Sequence, residues 1–235
     1  YQMASAGDET EAAAIAAESA KQENKKSYWQ DIKEVFDIML HKEGVMSVVV
    51  GMSLATAHEL SVSSAFSSTL YQIIPDGDMA TVMVIGVLYG SLMFGRLLGN
   101  ITTTRISSGT SYLAYSSLSG LGTAGILAGI MADIPSLIVS SGVIASIGMG
   151  NYFSQMFAYI IRKHPELQSQ ISQGMSFTMP IAVGLSMPIT YLNDWLNVPY
   201  ARVMASLAML VASMIATNKM LDNSTLYKFI KQEFK

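Results

Sequence analysis

No cysteine occurs anywhere in the 235-residue chain, which excludes disulfides, thiolate metal sites and cysteine nucleophiles while leaving the redox compartment open. Charge is scarce as well. Only 13% of the residues are Asp, Glu, Lys or Arg, about half the share of an ordinary soluble domain. The 17 acidic residues outnumber the 14 basic ones and no basic patch with interleaved aromatics occurs, so a nucleic-acid partner is not expected. Histidine appears three times, as His41, His58 and His164, without a second ligand at metal spacing. Neither a nucleophile motif nor a phosphate-binding loop is present, so no enzymatic role, metal or organic cofactor is expected. The chain begins at Tyr1 rather than Met and its polar start lacks a signal peptide's apolar core, so the expectation is a fragment or one half of something longer.

What the chain has is apolar surface: 51% of its residues are hydrophobic and the mean hydropathy is +0.37. The charges gather in the first 43 residues, the last 17 and short gaps between apolar runs. The longest run, Val45 to Ile74, carries the pair His58–Glu59 at its centre. About thirty residues at ~1.5 Å each exceed the ~30 Å hydrocarbon core of a bilayer, so the run predicts a membrane span. An ionisable group near mid-membrane is costly, faces a bundle interior or a water-filled cavity, and marks a candidate substrate or proton site.

Five further apolar segments follow: Met79 to Gly99, Ser111 to Met131, Pro135 to Ile161, Gly174 to Leu192 and Tyr200 to Thr217. The expected fold is an all-α integral membrane bundle of six spans, which puts both termini on one side. That side receives Lys42, Arg105, Arg162, Lys163, Lys219, Lys228 and Lys231. The other holds Asp76, Asp78, Asp133 and Asp194, with Arg202 as a lone basic exception. By the positive-inside tendency both termini are cytoplasmic.

The expected organisation has three parts. Residues 1–43 form a cytoplasmic linker ending in an amphipathic helix, 44–221 the transmembrane domain, and 222–235 a tail. From Lys26 to Leu40 the residues Trp29, Ile32, Val35, Phe36, Met39 and Leu40 recur at helical spacing, as in an interfacial helix or one set against a soluble partner. The tail from Ser224 to Phe234 mixes Leu226, Phe229, Ile230 and Phe234 with lysines and is expected on the inner leaflet.

Glycine pairs four residues apart, Gly86 and Gly90, Gly95 and Gly99, Gly125 and Gly129, predict closely packed helices. Pro180 and Pro188 flank Gly184 and imply a kinked or interrupted helix, either of the transporter kind or a plain packing kink. Six spans also divide as three plus three, an inverted repeat. The fourth span is then the counterpart of the first, with Asn151 and Gln155 in place of His58 and Glu59.

Glu59 is the leading site candidate, against a reading in which a partner holds it to fix packing. His58 points about 100° away on the helix and suits a structural hydrogen bond. Asn151 and Gln155 lie one turn apart, so both amides can face a polyol or can bond between helices. Arg96 and Arg105, where the second span meets the basic side, are expected to gate or to hold structure.

Four stretches resemble a known family: LYGSLMFGRLLGNITTTRIS from Leu88 to Ser107, AHELSVSSAF from Ala57 to Phe66, GMGNYFSQMF from Gly148 to Phe157, and PITYLND from Pro188 to Asp194. Over Lys26 to Leu221 the chain resembles the C-terminal six-helix half of a major facilitator superfamily carrier, nearest the fucose permease branch of sugar–proton symporters. The resemblance implies half of a twelve-helix carrier in a bacterial inner membrane, moving a monosaccharide-like solute with protons by alternating access. It implies Glu59, His58, Asn151 and Gln155 as substrate-binding residues, Arg96, Arg105, Pro180 and Pro188 as gating or structural ones, and an N-terminal six-helix half or another membrane subunit as partner. Three departures stand against it. Thr104, Arg105, Ser107 and Ser108 replace the family's charged loop pattern, the fourth span lacks the family's proline, and the family's principal proton carboxylates lie in the half that is absent. These leave open a transport-inactive scaffold or assembly subunit derived from a carrier half.

Overall fold

An apolar run with no water to bond must satisfy its own backbone amides, and these runs do so as helices. The computed structural model describes residues 28–196 and 200–217. Among them every regular element is helical and no strand occurs. The helices are α1 (Tyr28–His41), α2 (Val45–Ile73), α3 (Gly77–Thr103), α4 (Ser108–Ala132), α5 (Pro135–Met149), α6 (Tyr152–Lys163), α7 (Gln168–Met175), α8 (Thr178–Leu196) and α9 (Ala201–Ala216). Four helical stretches are long and apolar enough to cross a membrane: α2, α3, α4 and the 29-residue stretch Pro135–Lys163 that α5 and α6 form together. The helices α8 and α9 occupy the expected fifth and sixth segments with 19 and 16 residues. The expected linker before Tyr28, the tail beyond Thr217 and the side chain of Asp194 lie outside the described residues.

α2 is the axis of the bundle. It is buried nearly all round, by Val45, Val48, Val49, Met52, Ala55, Val62, Phe66 and Leu70. It packs against α8 and α9 on one side and α5 and α6 on the other. Small residues let its neighbours close in: Gly142 of α5 is covered by the Phe66 ring, and Gly51 lies against Thr217 after α9. α4 and α5 form a tight hairpin in which Gly122, Gly125 and Gly129 meet Ala145, Ser141 and Ile138. Its turn uses Asp133 in the left-handed region (φ 54°), whose amide closes on the carbonyls of Gly129 and Ile130, and Pro135 then starts α5 at a position that needs no N–H donor.

Two local features lie outside what the sequence patterns predicted. Within α3, Val84–Gly90 winds as a π-helix. The fourth span is broken at Gly150–Asn151 rather than by a proline, and α8, in contrast, runs without interruption through Pro188.

Arg202 donates to Ser64 Oγ at 2.9 Å in the half of α2 beyond Glu59, whereas Lys42, Arg105, Arg162 and Lys163 share the opposite end of the bundle. There Lys163 pairs with Glu43 at 3.4 Å, His164 Nε2 donates to the Glu43 carbonyl at 3.1 Å, and Arg162 donates to the Thr103 carbonyl at 3.2 Å. At the same end α1 buries Val35 and Met39 against Gly174 of α7, and the Phe36 and Phe177 rings lie 5.3 Å apart. Trp29 and Leu40 of the same amphipathic pattern stay exposed. At the other end Asp76 caps α3, accepting from the amides of Asp78 (3.0 Å) and Met79 (3.2 Å).

Candidate functional site

Thr56, Glu59 and Leu60 stand at i, i+3 and i+4 on one face of α2, halfway along it. They line a cavity of about 370 Å³ with Arg96 of α3, Phe153 of α6, and Ser172, Met175, Ser176, Thr178 and Met179 from the corner between α7 and α8. Arg96 is set in place by the break in the fourth span. Gly150 backs onto the Leu92 carbonyl and the Arg96 amide, Gly95 carries the Ile147 backbone, and the Asn151 side chain fills the space over Gly99 while its amide donates to the Gly95 carbonyl. A Cβ at Gly95 or Gly150 would meet backbone, so these close approaches require glycine. Held by that knot, Arg96 turns an exposed guanidinium toward the cavity that Glu59 lines.

The carboxylate of Glu59 makes no hydrogen bond or ion pair with another described residue, and the charge of Arg96 acts on it across the cavity. Around it the corner hydroxyls are committed to backbone, while the hydroxyl of Thr56 bonds no other described residue and keeps its proton for a ligand. Thr178 donates to the Met175 carbonyl at 2.7 Å, Ser172 to that of Gln168 at 2.7 Å, and Ser176 to that of Ser172 at 3.5 Å. Their oxygens retain lone pairs, so the cavity offers carboxylate and hydroxyl acceptors, donors from the Arg96 guanidinium and the Thr56 hydroxyl, and an apolar wall from Phe153, whose ring stacks on Phe157 at 5.7 Å.

His58, the next residue along the chain, belongs to a different place. It is fully buried, with Nδ1 2.8 Å from the Ser206 carbonyl and Nε2 3.0 Å from Ser119 Oγ. The carbonyl can only accept, which assigns the proton to Nδ1 and makes Nε2 the acceptor of the Ser119 hydroxyl. The ring thereby ties α2 to α9 and α4. One layer nearer the basic end, Tyr112 of α4 meets Ser213 Oγ of α9 at 2.7 Å, and Ser213 donates to the Gly51 carbonyl of α2 at 2.6 Å. The Tyr152 ring lies 6.2 Å from His58 and 6.0 Å from Tyr112, between the two layers.

Of the residues expected to bind substrate, only Glu59 lines the cavity, and it is joined there by Arg96, expected to gate or to hold structure. Asn151 is committed to α3. Gln155, equally buried, has neither amide atom bonded to another described residue, and neither it nor Asn151 lines the cavity. Arg105 is exposed in the turn after α3, Pro180 stands in the first turn of α8, and Pro188 in its interior. The corner hydroxyls Ser172, Ser176 and Thr178 were not singled out from sequence. The signal was the small and hydroxyl-rich stretch from Ser172 to Thr178, which an apolar-run reading absorbs into the fifth span from Gly174 onward and otherwise leaves in the break before it. No three His, Asp or Glu side chains among the described residues converge as a metal site. Comparison with protein-family models, curated proteins and solved structures finds no match.

Proposed function

We propose that this chain is a six-helix half of a secondary carrier that moves a small polar solute, most simply a monosaccharide, coupled to protons. The observation that carries this reading is the Glu59 carboxylate at mid-helix, without an ion-pair partner among the described residues, on a cavity that it shares with Arg96. A carboxylate so placed in an apolar bundle can exchange a proton or accept from a ligand hydroxyl, and the guanidinium supplies the complementary donors. Phe153 offers a flat apolar surface to the C–H face of a sugar ring. In this reading α8 and α9 complete six crossings and the end bearing Lys42, Arg105, Arg162 and Lys163 faces the cytoplasm, as the positive-inside tendency favours. The three-plus-three division is supported by two 29-residue spans, α2 and α5–α6, each with polar groups at its middle. The partner is a second six-helix half against which this one rocks.

The test is uptake of labelled fucose, glucose and galactose into vesicles containing the complete carrier, with and without a proton gradient. Gradient-driven accumulation that disappears in Glu59→Gln is the expected result. Unchanged accumulation in that variant removes Glu59 from the mechanism. A folded, stable assembly that moves none of the three and binds no sugar favours instead the transport-inactive scaffold.

A further inference from the structure

At the basic end a second cavity, also of about 370 Å³, lies between the start of α4 and the end of α6 and is lined by Ser107, Ser108, Gly109, Tyr159, Arg162 and Lys163. We propose that it binds the phosphodiester headgroup of an anionic phospholipid. The lining carries two cations and no carboxylate. Arg162 is oriented by two contacts, donating to the Thr103 carbonyl at 3.2 Å and reaching Ser108 Oγ at 3.5 Å, and these engage two of its five N–H donors. Lys163 is steadied by Glu43 at 3.4 Å, a pairing that takes one of its three N–H donors and leaves two at the cavity rim. A guanidinium already oriented beside an ammonium suits the two free oxygens of a phosphodiester.

The depth favours a lipid over a soluble anion. α3, α4 and the α5–α6 span are each long enough to cross a membrane, and the cavity sits where their basic ends come together. Tyr159, on its wall, is the amphipathic ring type enriched at headgroup level. Ile101 and Ile106, in the last turn of α3 and the loop after it, are 56% and 41% exposed and offer apolar surface along which acyl chains can run. Basic pockets between membrane helices recognise headgroups by this combination. The site does not include Glu59 or Arg96, so it stands whether or not the chain transports.

The experiment is thermal unfolding of the purified full chain in dodecyl maltoside, titrated separately with phosphatidylglycerol, phosphatidylcholine and inorganic phosphate. Phosphatidylglycerol is expected to raise the unfolding temperature saturably and phosphatidylcholine to leave it unchanged. Arg162→Gln is expected to weaken the half-saturating concentration about tenfold, with Lys163→Gln smaller and Arg162→Lys between wild type and Arg162→Gln. Lys42→Gln, which alters a cation of the same end outside the cavity, should titrate as wild type. If Arg162→Gln does not fold, Lys163→Gln and Arg162→Lys carry the comparison. Equal response to the two lipids, or wild-type titration by the Arg162 and Lys163 variants, overturns the proposal. A response to inorganic phosphate as large as that to phosphatidylglycerol assigns the cavity to a free anion and overturns the lipid.

Discussion

His58 and Glu59 are covalent neighbours at the middle of α2, and they occupy opposite kinds of surroundings. The imidazole uses both nitrogens on protein partners from two other helices and has no exposed surface. The carboxylate uses neither oxygen on a described residue and borders an open cavity. About 100° of helix rotation separates them, enough to put one on the packing face and the other on the cavity face. The comparison teaches that polar groups in an apolar bundle divide by their bonds. A group whose donors and acceptors are all taken by helices holds the bundle together, and one left unbonded on a cavity wall is available to a ligand, whereas Gln155 is unbonded but buried away from the cavity.

The largest effect that can break this division is on Glu59. Glu59→Gln removes the charge at nearly constant shape, so thermal stability in detergent should stay within about 0.5 kcal/mol of wild type. If the chain is the proposed carrier half, gradient-driven uptake by the complete carrier should fall about 100-fold, the order expected when a proton-transferring group is lost. A large loss of stability would show instead that Glu59 is tied into the packing. His58→Ala tests the other half. It leaves the Ser206 carbonyl and the Ser119 hydroxyl without their partner and opens a void among α2, α4 and α9, costing about 2 kcal/mol of stability. His58→Gln, which can restore one of the two bonds, should recover part of that loss in the same unfolding measurement. If His58→Ala unfolds like wild type while uptake vanishes, the imidazole belongs to the site.

The division was only partly legible in the residues. α2 was legible because its length and apolarity admit one structure, and α8 and α9 because their apolar runs are bounded by polar breaks. Glu59 stood out because a carboxylate at the middle of an apolar run is costly and so marks a candidate site. Asn151 drew notice for its polarity, but its bond to the Gly95 carbonyl and its place over Gly99 depend on where α3 passes, which local pattern does not encode. The break at Gly150–Asn151 and the π-helix at Val84–Gly90 lie inside continuous apolar runs and leave no trace in hydropathy. The serines that complete the buried layers, Ser119, Ser206 and Ser213, look in sequence like any small residue of a packed span. Helix rotation decides that Ser119 and Ser213 turn their hydroxyls to a side chain on another helix, while Ser206 offers His58 its carbonyl and keeps its hydroxyl on Val203.

The glycine pairs of α3 sharpen the same comparison at smaller energies, because equal spacing there conceals unequal surroundings. A Cβ at Gly95 would run into the Ile147 backbone, whereas one at Gly86 would meet nothing within 4 Å. Gly95→Ala must therefore push α3 away from α5 and disturb the carbonyl that Asn151 bonds. Overpacking of this kind costs about 1–3 kcal/mol, more than the helix propensity that Ala recovers, so a net loss of about 1 kcal/mol in detergent unfolding is expected. Arg96 follows Gly95 directly, so the displacement should also shift the guanidinium and, in the proposed carrier, reduce sugar binding. Gly86→Ala adds a methyl group to an open face and recovers helix propensity without overpacking, so a gain of up to about 1 kcal/mol is expected. A Gly86→Ala penalty in the assembled carrier, absent from the isolated chain, would mean that a second bundle packs on that face. Equal penalties at Gly86 and Gly95 in the isolated chain would contradict the packing described for α3.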